Sequence, residues 1–205
     1  MAKKSAAFSN AFCPQALFLY GTYKENGDPN FGLFCWASYC WDAEYKFMCC
    51  IGEPKLTRDR IRATGIFSAS LEKEKLLAAA DFIGNNPGYK TDKSGVLESV
   101  KGAVLDVPAP VDSPWTFELE VDKTVELAEG SEIYVCKIRN MLADERLLDE
   151  NTPIEERIGL AAPVVAFSPA YYPIAPKRLG NWGDWASGKG EGKGIEKGEG
   201  EGEGK

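Results

Sequence analysis

Apolar and polar positions alternate along this chain in short runs separated by turn signals. Residues 17–23, "LFLYGTY", predict a strand, and "KENGDPN" after them supplies the Asn-Gly and Asp-Pro of a hairpin turn. The next run, residues 31–41, predicts a strand with no face for water. Phe31, Leu33, Cys35, Ala37 and Tyr39 point one way, and Gly32, Phe34, Trp36, Ser38 and Cys40 the other. Such a strand needs cover on both sides, from core and from a further layer: a helix, a second subunit or a planar ligand. "YKFMCCIG" predicts a third strand, and with no helix between the three this is a β-meander rather than a βαβ unit.

"EPKLTRDRIRATG" breaks the pattern and predicts a short helix capped by Thr57 and ended by Gly65. "IFSASL" is a short strand, and "EKEKLLAAADFIG" is a helix with Leu76, Leu77, Ala80 and Ile83 on its apolar side and Gly84 at its end. "NNPGYKTDKSG" is a loop rich in turn formers. "GAVLDV" then predicts a strand. In the next strand, Trp115, Phe117, Leu119 and Val121 alternate with Thr116, Glu118 and Glu120, the mark of one buried and one solvated face. "GSEIYVCKIRNMLAD" continues the sheet after a Glu-Gly turn, "TPIEERIGLA" suits a short helix, and "APVVAFSPAYYPIA" a final apolar strand. Many strands with two early helices predict a mainly β fold, a Greek-key or meander barrel with flanking helices. The single domain spans residues 1–186, and the Gly, Glu and Lys repeat at 187–205 predicts a disordered, solvated tail.

Composition narrows the chemistry. The 205 residues suit one domain, and a net charge of -7 disfavours a general nucleic-acid partner. Histidine is absent, which excludes Ser-His-Asp and Cys-His catalysis and His-ligated zinc. The six cysteines contain no Cys-x-x-Cys pair, and the first residues lack an apolar segment of signal-peptide length, so the expectation is free thiols in a reducing cytoplasm. No apolar run is long enough to span a membrane.

Three stretches carry candidate chemistry. In "GEPKLTRDRIR", Gly52, Lys55, the Thr57 hydroxyl and a helix start either make an anion site or form a capped surface helix with solvated arginines. It is not a P-loop, since the GxxxxGK[ST] spacing is absent. Strand 31–41 is the second stretch. In the third, Asn85, Asn86, Gly88 and Lys93 either donate to a polar ring edge or belong to an ordinary surface loop. The carboxylates of "DERLLDE" and "IEERI" are read as solvated faces.

In order, "GTYKENGDPNFGLFCWASYC", "CCIGEPKLTRDRIRATGIFSASL", "LAAADFIGNNPGYKTDK" and "PVVAFSPAYYPI" resemble the flavin reductase-like family of FMN-binding split barrels, in particular its flavoredoxin branch. The resemblance covers roughly residues 10–175. It implies a homodimeric split β-barrel with FMN near the subunit interface. It places Trp36, Ala37 and Ser38 along the flavin, and Ile51, Gly52, Lys55 and Thr57 at the ring edge and phosphate. Asn86, Pro87, Gly88 and Lys93 would help hold the ring. Ser70 stands where the family often has Asn, Pro87-Gly88 where it often has Ser-Gly, and Ser94 where Asp-Lys-Phe is usual. The first two departures remove an amide and a hydroxyl from the expected contacts.

The implied function is hydride or electron transfer between NADH or NADPH and flavin, and onward to free flavin, an iron complex or a redox partner protein. Chemistry on the flavin leaves no protein catalytic residue to find, which accounts for the missing histidine. The alternatives are an electron carrier with no nicotinamide site of its own, and a barrel that holds flavin, haem or another ligand without turnover. No dinucleotide fingerprint chooses between NADH and NADPH.

Overall fold

Residues 3–9 and 13–186 are described by the structure, a computed structural model of the chain. The expected tail at 187–205 lies outside the described residues. Two units divide the chain, Met1–Ala175 and Pro176–Lys205. In the second, the Asn181 backbone N–H donates to the Asp184 carboxylate at 2.6 Å across a short turn.

The first unit opens with β1 (Gln15–Ala16), β2 (Phe18–Tyr23), β3 (Pro29–Phe34), β4 (Ala37–Trp41) and β5 (Tyr45–Ile51). Helix α1 (Leu56–Thr64), β6 (Ile66–Leu71), a 3-10 turn at Glu74–Leu76 and α2 (Leu77–Asn85) follow. Then come β7 (Ser99–Lys101), β8 (Pro108–Pro110), β9 (Trp115–Glu126) and β10 (Glu132–Ala143). The last elements are α3 (Glu145–Leu148), α4 (Ile154–Ala161), β11 (Val164–Phe167) and β12 (Ala170–Pro173). Seven strands form one antiparallel sheet in the order β3-β2-β6-β9-β10-β5-β4, and β1, β11 and β12 form a smaller one. The large sheet is not closed, because its edges β3 and β4 do not pair, where the sequence predicts a barrel. One apolar core nevertheless gathers Phe34 from one edge and packs Ala37 from the other against Tyr20, Phe47, Phe67, Phe117 and Tyr134. The sheet therefore curls around a single core, with Tyr20 stacked on Phe34 at 4.5 Å between ring centroids.

The predicted strand at 31–41 is two strands. β3 pairs with β2 as far as Phe34, and from Ala37 the chain pairs with β5 at the opposite edge. Between them the Ala37 N–H turns back to the Cys35 carbonyl at 3.1 Å, a tight reversal without glycine or proline. The double-sided burial of β3 has two covers. Tyr20 and Phe34 face the main core, while Leu19 and Phe31 face a second cluster with Leu76, Ala80 and Ile83 of the α2 region.

Other expectations shift. Lys55, not Thr57, is the N-cap of α1, and Gly65 ends that helix as expected, with φ +72° and its N–H on the Ile61 carbonyl. α2 runs through Gly84 to Asn85. Residues 102–107, read as a strand, form the connection between β7 and β8. Glu118, read as solvated, is fully buried and explains that connection. Its carboxylate accepts the N–H groups of Ala103, Val104 and Leu105 at 2.8, 2.9 and 2.5 Å and the Asn140 amide at 2.7 Å. Burial pushes its carboxyl up, but these donors outweigh it and the net shift is down. The final apolar stretch is a hairpin of β11 and β12.

Candidate functional site

The site begins at α1. Lys55 is extended (φ -138°, ψ 143°) and no side chain caps the helix, so the first-turn N–H groups have no side-chain acceptor. They open onto a cleft of about 200 Å³ whose lining includes Lys55, Leu56 and Thr57. Its floor is the β3 edge at Gly32, Leu33 and Phe34, and its far wall is the end of α2 with Asn86, Pro87 and Gly88.

Asn30, 1% exposed, ties floor to helix. Its amide donates to the Thr22 hydroxyl at 3.1 Å and the Thr57 hydroxyl at 3.0 Å. Gly32 keeps the floor low, since a Cβ there would meet the Phe34 ring at 2.6 Å and Thr57 Oγ1 at 2.9 Å. At Gly88 a Cβ would meet Asn30 Oδ1 at 3.1 Å and Leu56 at 3.2 Å, so the loop after α2 lies close on the α1 start. Tyr89 secures that loop by donating its hydroxyl to Asp59, which also takes the Arg58 guanidinium at 2.7 Å. Burial pushes the Asp59 carboxyl up, but these two donors outweigh it and hold it below the ordinary range.

Positive charge gathers beside this rim. Lys93 is buried and donates to the Ile83 carbonyl at 3.0 Å. Burial, aided by the charges of Lys24 and Lys55, lowers its ammonium to about 8. Lys24 is paired with Asp92 at 2.6 Å, so the uncapped helix start, Lys55 and the apolar floor make the receptor for an anionic group joined to an apolar or ring-like body.

The residues expected from sequence divide into groups. Lys55, Thr57, Asn86, Pro87 and Gly88 meet in the cleft. Trp36, Ala37 and Ser38 are not brought there, but border a separate hollow of about 240 Å³ with Met48, Cys50 and Ile133. Gly52 lies against Trp36, where a Cβ would meet the indole at 3.2 Å. Ile51 is fully buried in the main core. Ser70 is fully buried and accepts from the Thr116 hydroxyl at 2.8 Å. Lys93 sits behind the cleft lining.

Sequence reasoning missed Asn30, Gly32, Glu53 and Tyr89, all of which line the cleft. Asn30 passed for a turn residue beside Asp28 and Pro29, although an Asn opening an apolar strand was a signal that a buried amide has partners. All six cysteines are free, and among the described residues no helix is long and apolar enough to cross a membrane.

Known structures share this architecture. Flavoredoxin from Desulfovibrio vulgaris (Miyazaki F) is 26% identical, with TM-score 0.77 over 89% of this chain and 97% of that one. Flavoredoxin from Methanosarcina acetivorans is 22% identical, with TM-score 0.78 over 88% and 96%. An FMN-binding protein from Thermus thermophilus is 17% identical, with TM-score 0.72 over 88% and 98%. No curated protein matches the chain. The flavin reductase-like domain family matches residues 11–172, which include every residue of the cleft. With that match across most of its length, the chain belongs to the flavin reductase-like family.

Proposed function

We propose that this chain is an FMN-dependent oxidoreductase that takes electrons from NADH or NADPH and passes them to free flavin or a downstream acceptor, including a redox partner protein. The observation that carries the reading is the cleft, with an uncapped helix start and Lys55 at one end and the β3 edge at Gly32–Phe34 as its floor. Lys55 and the first-turn amides of α1 would hold the FMN phosphate, and Thr57, positioned by Asn30, would add a hydroxyl. Gly32, Phe34 and the Asn86–Gly88 loop would receive the ring. When bound, FMN supplies the two-electron redox chemistry. The chain's own groups bind, orient and exclude water, and none needs to act as a nucleophile.

A second reading, an electron carrier with no nicotinamide site, is favoured by the likeness to the two flavoredoxins. A cytoplasmic location suits six free thiols. A second copy of the chain is the proposed cover for the exposed aromatic side chains of β4 and β5. Anaerobic mixing with NADH and with NADPH separates the two readings. Loss of the yellow colour at a catalytic rate with either nucleotide supports the oxidoreductase, and retained colour with both supports the carrier. FMN titration of Lys55→Ala/Thr57→Ala should show affinity at least about tenfold weaker than wild type. Equal affinity removes the phosphate assignment, and a wild type that binds no FMN removes both readings.

A further inference from the structure

A second cavity, of about 250 Å³, lies between the ends of β9 and β10 and the helices α3 and α4. It shares no lining residue with the cleft. Its walls are apolar, from Trp115 and Met141 on the strands to Leu147, Ile154 and Ile158 on the helices. Arg157 is the one charged residue in that lining.

The Nε of Arg157 is buried and has no hydrogen-bond partner. An arginine keeps its charge at every physiological pH, so an unmatched buried donor in an apolar wall is a cost to the folded chain. A carboxylate is the group that matches it best, by a short charge-assisted hydrogen bond. Asp149 feels the Arg157 charge, but its carboxylate is occupied by Asn151 and Thr152 and it does not line the cavity. Met141, Leu148 and Ile154 leave the rim exposed and apolar.

We propose that this cavity binds a small organic carboxylate with an apolar body, its hydrocarbon part against Trp115 and Ile158 and its carboxylate on Arg157. The site is independent of the FMN reading, and its occupancy is a binding event with no bond made or broken.

Calorimetric titration of the full chain with octanoate and with 1-octanol tests it, because the two share a body and differ in charge. Octanoate should bind at least about tenfold more tightly than 1-octanol, and Arg157→Gln should erase that advantage. Ala143→Phe, which fills the cavity, should abolish binding of both while FMN retention stays at the wild-type level. If Arg157→Gln does not fold, the wild-type comparison and Ala143→Phe carry the test alone. Equal affinity for the two probes, no octanoate binding at millimolar concentration, or an unchanged preference in a folded Arg157→Gln would overturn the proposal. Loss of octanoate binding as the chain self-associates would overturn it too, by assigning the cavity to a contact between copies.

Discussion

At the residue scale, the cleft depends on what is missing from one side chain. Gly32 sits in an ordinary strand pairing opposite Tyr20, and nothing in its neighbours marks it as special. Its role arises from residues distant in the chain, since an added methyl group would press on Thr57 and on the Phe34 ring. Overpacking of this kind costs about 1–3 kcal/mol when neighbours must shift. Here the Phe34 ring can yield only by entering the cleft or the core. Gly32→Ala is therefore expected to weaken FMN binding at least about tenfold while the melting temperature falls by only a few degrees. Flavin fluorescence titration beside a thermal melt measures both, and wild-type affinity in the variant would show that the β3 edge is not the binding floor. Lys55 and Thr57 were legible in the sequence because a lysine and a hydroxyl at a helix start have a local logic. Asn30 and Gly32 were not, because their partners are brought to them only by folding.

At the element scale, the informative junction is the end of β6. There the Glu72 N–H donates to the Leu17 carbonyl at 2.9 Å, and Val164 donates back to the Glu72 carbonyl at 3.4 Å, joining β6 to the small sheet. The Glu72 side chain is fully buried and neither carboxylate oxygen has a hydrogen-bond partner. Burial pushes its carboxyl up to about 7 from an ordinary 4.5. The folded state thus holds a proton that the unfolded chain releases at lower pH. That contribution to stability is complete below about pH 4.5 and is lost as pH rises through 7. Denaturant titration should show the wild type losing on the order of 2 kcal/mol between pH 5 and pH 8, and Glu72→Gln losing much less. The carboxylates of Asp42, Asp92 and Asp144, lowered to about 2 by their donors, titrate well outside that interval. An equal loss in the variant would assign the pH dependence elsewhere. The run "SASLEKEK" gave no sign of this, since a Glu between Leu and Lys at a strand end reads as surface.

At the scale of the whole molecule, the open sheet ends in an edge with exposed aromatic side chains. Trp36, Trp41 and Tyr45 are 51%, 68% and 71% exposed, and Met48 joins them at the β4–β5 edge, the surface for which a second copy is proposed as cover. The expected outcome is a dimer at micromolar concentration by light scattering, converted to a folded monomer by Trp41→Glu with Met48→Glu. A wild-type monomer at that concentration would leave this surface without the proposed cover. Residues local in the chain carried much of the fold into view: the β2–β3 turn, a short helix after Gly52 and its stop at Gly65 each depend on neighbours a few positions away, whereas the cap fell on Lys55 and not on Thr57. The same holds for the family resemblance, which rests on short motifs in a fixed order. What depended on distant pairing stayed hidden. Cys35 and Trp36 show no turn chemistry, yet the chain leaves one sheet edge there for the other, because only the curled sheet offers β5 as the next partner. Residues 102–107 have strand composition, yet they wrap the Glu118 carboxylate because a buried charge must find donors wherever the fold supplies them. The sequence by itself determined the strand-rich pattern, the helix limits near Gly65 and a chemistry without histidine. Tertiary structure alone decided that Lys55, Thr57, Asn30 and Gly88 share one cleft while Trp36–Ser38 border another, because convergence depends on which edges the sheet brings together.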